Sequence, residues 1–215
     1  MGLDDGHYVL DVGSGIGGPA RRIAAATGAR VTGIDLTPAY TEAARTLTER
    51  VGLSDKARFE TASALAMPFP DRQFDAAVAI HVAMNIADRP GLYREVARVL
   101  KPGARFGIYD VMTGAGGALA YPVPWAATPA TSHLTTPDDM HALLSDAGFD
   151  VVETEDRSAA AIDFFKARDA SAARHPQPPG LHVIMGETAR EKFANIRAGV
   201  ESDAVAPVVI IARKH

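Results

Sequence analysis

The sequence contains no cysteine among its 215 residues. Disulfide bonds, thiolate zinc sites and a cysteine nucleophile are therefore excluded. The composition fits the reducing cytoplasm, where we expect the protein to reside. The chain does not begin with a basic segment followed by an apolar one, so a secretory signal peptide is not predicted.

Long hydrophobic runs and an excess of one charge are also lacking. The longest uncharged stretch, 111–137, is interrupted by glycine and proline, so no membrane-spanning helix is expected. The 22 basic and 26 acidic residues give a net charge of −4, which argues against a broad nucleic-acid-binding surface. The spacing of His, Asp and Glu does not suggest a metal site, so none is predicted.

The first half of the chain alternates short apolar runs with helical patterns. Such alternation predicts a mostly parallel sheet with right-handed crossovers. The predicted strands are Tyr8–Val12, Arg30–Asp35, Ala57–Thr61, Phe74–Ile80 and 105–109, and the predicted helices are 19–27, 38–51 and 89–100. A Thr37 N-cap and Pro38 are expected to open the second helix.

The second half is less regular. A loop rich in Gly, Pro, Ala and Thr covers 111–135, and loops of this length are usually functional or disordered. Thr136 and Asp139 resemble a capping box for a helix ending at Gly148. Strands are predicted at 149–154 and 205–212, with helical patterns at 159–173 and 181–200 joined by HPQPPG, in which His175 is expected to be solvated. No interdomain linker is apparent, so 1–215 is expected to form a single domain.

A glycine-rich turn, VGSGIGG, follows the first strand. Gly13, Gly15 and Gly18 match the dinucleotide spacing, whereas Gly13, Gly15 and Gly17 match G-x-G-x-G equally well. Both patterns allow a ligand to approach the backbone and the start of a helix. The loop alone therefore indicates a nucleotide-like ligand without choosing between them.

Two acidic residues narrow this choice. Asp11 precedes the turn, where a carboxylate would oppose a diphosphate and favour the ammonium and sulfonium of S-adenosylmethionine (SAM). The alternative is that Asp11 only accepts hydrogen bonds from nearby backbone amides. Asp35 ends the second strand and could bind both ribose hydroxyls of either ligand, or merely compensate the charge at a helix N-terminus.

Four segments together resemble the class I SAM-dependent methyltransferases, within the broad group of ubiquinone/menaquinone-biosynthesis and sarcosine/dimethylglycine methyltransferases. They are VLDVGSGIGGPARRIA at 9–24, VTGIDLTPAY at 31–40, SALAMPFPDRQFDAAVAIHVAMNI at 63–86 and LYREVARVLKPGARFGIYDV at 92–111. The resemblance implies an α/β, Rossmann-like three-layer sandwich. Its seven-stranded sheet would have the order 3-2-1-4-5-7-6, mostly parallel with the last strand antiparallel, and would carry a helical lid insertion.

The resemblance also assigns residues to the cofactor. Ser63 stands where the family often has an aspartate at the adenine amine, so this chain would bind the adenine through the Ser63 hydroxyl and the Ala64 amide. Ile80 would end the fourth strand near the methyl group. The set implied for the methionine moiety is Asp11, Gly13, Ser14, Gly15 and Gly17, and for the nucleoside it is Asp35 on the ribose with Leu36 on the adenine.

Catalytic candidates lie where ligands bind in open α/β sheets, beyond the carboxyl ends of the strands. His81 and Asp110 end the fourth and fifth strands, and a general base is needed only for an acceptor protonated at neutral pH. Alternatively, His81 binds backbone and Asp110 holds a loop. Tyr121, Trp125 and His133 are candidates for acceptor binding, or else they fill space beneath the long loop.

Relatives usually carry several dozen residues before the first strand, forming helices that close over SAM. Here the site is expected to be open or covered by other segments, and we expect 111–135 and 158–204 to form that lid. A short hairpin could join the last two strands, so the insertion is not needed to complete the sheet. Its apolar set comprises Leu181, Ile184, Met185, Phe193 and Ile196.

The leading hypothesis is methyl transfer from SAM to a small-molecule acceptor, with S-adenosylhomocysteine as product. The alternatives are a SAM-binding protein without catalysis and, third, a nicotinamide-dependent oxidoreductase. A nucleic acid is not an expected partner, because of the net charge and because the sequence after the fourth strand, IHVAMNI, lacks the Asn/Asp-Pro-Pro-aromatic signature. A membrane is not expected either, since no apolar run reaches spanning length. The oligomeric state is left open, with a homodimer as one alternative.

Overall fold

A computed structural model describes residues 1–172 and 180–215. Seven strands form one sheet in the order β3-β2-β1-β4-β5-β7-β6. β7 is antiparallel to β5 and β6, and the pairs among β1 to β5 are parallel. The predicted order and the antiparallel last strand are confirmed. The strands are β1 Tyr8–Val12, β2 Arg30–Asp35, β3 Ala57–Thr61, β4 Phe74–Ile80, β5 Leu100–Thr113, β6 Phe149–Asp156 and β7 Val205–Lys214.

Seven α-helices lie in the described residues: α1 Gly18–Thr27, α2 Pro38–Arg50, α3 Arg89–Val99, α4 Pro137–Asp146, α5 Ser158–Ala172, α6 Leu181–Met185 and α7 Ala189–Glu201. Thr136 caps α4 as predicted, because its hydroxyl accepts from the Asp139 amide at 3.1 Å. Thr37 is the N-cap of α2 and Pro38 begins the helix, as predicted, but the Thr37 side chain makes no capping hydrogen bond. Instead the Thr37 amide donates to Asp35 Oδ1 at 2.9 Å.

The core has two faces because alternate strand residues point to opposite sides of the sheet. Val9 of β1 belongs to a cluster with α1 and α2, whereas Leu10 belongs to a larger cluster with α3 and α4. Both side chains are fully buried. Burial on both faces explains why β1 and β4 read as continuous apolar runs, and it produces the three layers.

Several element boundaries differ from the predictions. β5 extends beyond 105–109, and its last residues, 111–113, pair with β7, so they belong to the sheet and not to the lid loop. The pattern 181–200 is not one helix, because Gly186 has a φ of 69° and separates α6 from a short 3-10 turn and α7. His175 and all of HPQPPG except Gly180 lie outside the described residues.

Candidate cofactor and acceptor site

The glycine loop joins β1 to α1 and has three glycines in the left-handed region, with φ values of 67° at Gly13, 53° at Gly15 and 78° at Gly17. A Cβ on Gly13 would lie 2.6 Å from Val82 Cγ2, and one on Gly17 would lie 2.5 Å from Phe59 Cζ. A Cβ on Gly15 would meet no heavy atom of the described residues within 4 Å. Gly13 and Gly17 therefore allow close packing, and Gly15 borders open space that a ligand can use.

Two buried polar groups lie beside this loop. Asp11 Oδ2 and Ser14 Oγ have no hydrogen-bond partner among the described residues, although both residues are at least 96% buried. Burial raises the pKa of Asp11 to about 7, while an amide hydrogen bond from Ala20 opposes this rise and the neighbouring Asp35 adds to it. Buried polar atoms normally have partners. The pair therefore fits a ligand that brings hydrogen-bond donors and positive charge, as the methionine end of SAM does.

Asp35 connects the end of β2 to the glycine loop. Its Oδ2 accepts from the Gly15 amide and its Oδ1 from the Thr37 amide, both at 2.9 Å. An ionised carboxylate offers about four acceptor positions, so about two remain for the hydroxyls of a ribose. Asp35 thus has the acceptor capacity expected for a ribose, and it also performs the backbone role weighed against it.

The adenine candidates lie next to Asp35. Leu36 is 73% exposed, which leaves its side chain free to cover a planar ring. The Ala62 amide donates to the Asp35 carbonyl at 3.1 Å and brings the following residues to the same edge. The Ser63 hydroxyl accepts from the Leu65 amide at 3.1 Å, and Ala64 packs partly against the core. The structure therefore brings the predicted nucleoside residues together.

His81 follows the last residue of β4, Ile80, and has a φ of 58°, a rare conformation for a non-glycine residue. Its imidazole lies with its centroid 4.8 Å from that of the Tyr109 ring. Desolvation by the groups around it lowers the pKa of His81. Ile80 is half-buried and pairs with Tyr109 of β5.

Asp110 lies beneath the turn that follows β4. Its side chain is buried, with 1% exposed, and its two oxygens accept from the amides of Val82 at 2.8 Å and Ala83 at 3.0 Å. These bonds favour the alternative weighed for Asp110, a role in holding backbone, over that of a catalytic base. Asp110 holds the turn after β4, not the loop that follows it in sequence. Burial raises its pKa to about 7 against the opposing effect of these amides.

The long loop lies over the same end of the sheet. The His133 amide donates to the Met84 carbonyl at 2.9 Å, which places His133 beside the turn that follows His81. Trp125 is half-buried, and its indole donates to Ser132 Oγ at 2.9 Å. Tyr121 is also half-buried, and the carbonyl of the next residue, Pro122, accepts from Asn195 of α7. This hydrogen bond connects the long loop to the insertion between β6 and β7.

One apolar cluster, which we term the lid cluster, joins these segments. It contains residues from the turn after β4, the long loop, α5, α7 and the sheet: Met84, Val111, Leu119, Trp125, Leu134, Ala161, Ile162, Phe165, Phe193, Ile196, Val200 and Val205. Of the predicted apolar set, Ile196 and Phe193 enter the cluster, whereas Ile184 is 42% exposed. Met185 is half-buried outside it.

Arg89 is a residue that the sequence analysis missed. It is 93% buried, and its guanidinium donates to the His133 carbonyl and, at 3.5 Å, to the Tyr93 hydroxyl. Its sequence context, directly after the Asp88 cap of α3, is typical of an exposed first turn.

Within the part of the chain that the structure describes, no helix is both long and apolar enough to cross a bilayer. Nor do three or more His, Asp or Glu side chains gather there in a way that could hold a metal ion.

The strand order, the glycine loop and the acidic residue ending β2 define a class I SAM-dependent methyltransferase fold. Comparison with known proteins agrees with this fold, because residues 10–108 match the family described as "Methyltransferase domain". This stretch, just under half of the chain, contains most of β1, all of β2 to β4 and most of β5, with the glycine loop and the nucleoside edge. Residues 10–108 therefore resemble that domain family.

Individual proteins show the same similarity. Sterol 24-C-methyltransferase ERG6B of Gibberella zeae is 46% identical over 110 residues, which cover 51% of this chain and 29% of that protein. Methyltransferase GfsG of Streptomyces halstedii is 37% identical over 161 residues, covering 74% of this chain and 58% of that protein. The solved structure of the [4+2]-cyclase SpnF has a TM-score of 0.76 at 28% identity, covering 99% of this chain and 76% of that chain. The chain thus spans less than a third of the sterol methyltransferase that it matches.

Proposed function

We propose that the chain binds SAM and catalyses methyl transfer to a small-molecule acceptor. The observation that carries this proposal is the pair of buried, unpartnered groups on Asp11 and Ser14 beside the open face of Gly15. When bound, SAM would supply an electrophilic methyl group on a sulfonium, with S-adenosylhomocysteine as the leaving group. A nicotinamide dinucleotide is disfavoured because its diphosphate would approach the Asp11 carboxyl.

Each cofactor residue has a proposed role. Asp11, Ser14 and the glycines Gly13, Gly15 and Gly17 hold the methionine moiety. Asp35 accepts from the ribose hydroxyls with the capacity left beside its two amide bonds. The adenine lies between the exposed Leu36 and the Ser63–Ala64 backbone, and Ile80 borders the reacting methyl group.

Little chemistry beyond positioning is required of the protein, because the leaving group is already activated. For an acceptor that must lose a proton, His81 is the proposed base, since its imidazole stands at the end of β4 beside Tyr109. The lid segments 114–135 and 158–204 are proposed to exclude water through the lid cluster. Tyr121, Trp125 and His133 line the acceptor side in this proposal.

The proposed acceptor is a small, mostly apolar molecule. The half-buried Trp125 of the lid cluster supplies apolar surface, and His133, whose amide donates to the Met84 carbonyl, supplies a polar group. The net charge of −4 does not favour a nucleic acid. We also propose a cytoplasmic location and a homodimer. Light scattering of the purified protein measures its oligomeric state.

Calorimetry with S-adenosylhomocysteine and NADH, side by side, tests the cofactor. Binding of the first without the second is expected, and the reverse would contradict the proposal. Transfer of a labelled methyl group from SAM over a panel of sterols, terpenoids and small amines then tests the reaction, with heat-inactivated protein as control.

A second candidate function follows from a specific observation. SpnF, whose solved structure is 28% identical to this chain, is described as a [4+2]-cyclase and not as a methyltransferase. A protein of this fold can therefore have a different activity. The second candidate is therefore a protein that binds SAM without transferring its methyl group. Tight binding of S-adenosylhomocysteine without methyl transfer to any panel member would favour it.

A further inference from the structure

A buried arginine lies beneath the acceptor side of the proposed site. Arg89 begins α3 with 7% of its surface exposed, and its Nη2 donates to the carbonyl oxygen of His133. Burying a guanidinium is costly unless it is paired. Tyr93 accepts a second, longer bond at 3.5 Å, and Asp110 is close enough for attraction to Arg89 to lower the pKa of that carboxyl.

Asp110 fixes the neighbouring turn from the same side. Its two oxygens accept from the amides of Val82 and Ala83, the two residues that follow His81. The left-handed φ of His81 is disfavoured for a residue other than glycine. The hydrogen bonds from the next two amides to Asp110 oppose that cost. Asp110 therefore holds His81 in a conformation that the chain alone disfavours.

The segments that carry His81 and His133 are joined at Met84. The His133 amide donates to the Met84 carbonyl, and the His133 carbonyl accepts from Arg89. Both backbone polar groups of His133, its amide and its carbonyl, are thus hydrogen-bonded. One end of this arrangement is the turn held by Asp110, and the other end is the loop held by Arg89.

We propose that Arg89 is a positioning residue, which together with Asp110 holds His81 and His133 at fixed relative positions on the acceptor side of the site. The proposal rests on the proposed methyltransferase function, because it assigns both histidines to the acceptor. Neither Arg89 nor Asp110 contacts the acceptor, and each acts through the backbone of a neighbouring segment.

The test compares Arg89→Lys with Arg98→Lys, both with S-adenosylhomocysteine bound. Arg98 lies on the same helix and also donates to backbone carbonyls, those of Met67 and Phe69, away from the proposed site. The imidazole 1H–13C signals of His81 and His133 are assigned with His81→Gln and His133→Gln. Arg89→Lys is expected to shift both signals, whereas Arg98→Lys leaves them in place. Affinity for S-adenosylhomocysteine is expected to change less than about twofold in either variant.

Turnover with an acceptor found in the panel gives a second measurement. Arg89→Lys is expected to lower kcat about tenfold, the size typical of a small misplacement near the reacting atoms. In a His133→Ala background, the same change is expected to lower kcat by no more than about twofold, because the group that Arg89 positions is already gone.

Unmoved imidazole signals, or equal fold reductions in both backgrounds, would overturn the positioning role. If Arg89→Lys does not fold, Asp110→Asn replaces it and is expected to shift the His81 signal more than that of His133. A wild-type chain that methylates nothing contradicts the proposed function. An active wild type with unmoved signals contradicts the positioning role alone.

Discussion

Replacing Asp35 by alanine tests its proposed role in binding the ribose. The carboxylate accepts from the Gly15 and Thr37 amides and retains about two acceptor positions for ribose hydroxyls. Hydrogen bonds to a charged group contribute about 1.5–3 kcal/mol. The variant should therefore bind S-adenosylhomocysteine about 10- to 150-fold more weakly by calorimetry. It should also unfold at lower urea concentration, because two amides lose their acceptor.

Asp75 provides the matched control for this change. Its carboxylate also accepts from a backbone amide, that of Tyr8 at 2.9 Å, and from Lys101, at the opposite end of the sheet. Asp75→Ala is expected to lower the free energy of unfolding similarly without changing the affinity for S-adenosylhomocysteine. Equal affinity of wild type and Asp35→Ala, with both proteins folded, would refute the assignment of Asp35 to the ribose.

Further predictions concern the loop, a buried carboxyl and the lid. Gly15→Val should abolish S-adenosylhomocysteine binding in a folded protein, whereas Gly52→Val, equally left-handed at a φ of 68° and equally open, should bind normally in the same titration. The pKa of Asp11 is raised to about 7, so the folded state keeps a proton that the unfolded state releases near pH 4. This group therefore lowers the free energy of unfolding as pH rises from about 4 to 7. In urea unfolding, Asp11→Asn should therefore stabilise the ligand-free chain more at pH 8 than at pH 5, and an equal effect at both would contradict the shift. Replacing residues 159–202 by a short Gly-Asn turn should preserve S-adenosylhomocysteine binding and abolish methyl transfer, and transfer at the parent rate would show that the insertion is not a lid.

The strands were predictable where one signal decides the outcome. β1 and β4 are buried on both faces, so their apolar runs mark them directly, and the glycines after β1 mark the turn. The ends of β5 were missed because its last residues are held by pairing with β7, a partner almost a hundred residues later in the sequence. Local pattern contains no information about such a partner. The break at Gly186 was missed because apolar spacing continues across it.

The site could be predicted only in part for the same reason. Asp35 and Leu36 are placed by the strand that they end, and sequence position alone identifies them. Asp110 also ends a predicted strand, but its direction is set by the amides of Val82 and Ala83, which sequence does not reveal. Arg89 is buried by a loop more than forty residues away. Residues that act through distant backbone groups are therefore the ones that the structure had to reveal.

The position of β7 between β5 and β6 has a consequence for the order in which the chain folds. The strands β1 to β5 pair among themselves, so a five-stranded parallel sheet can form before the rest. β6 pairs with β7, and its place in the sheet depends on that strand. Long-range pairing of this kind is slow because the intervening chain must first be brought together. The half that contains the glycine loop and Asp35 should thus gain protection from hydrogen exchange first, and the half that contains β6 and β7 should gain it last.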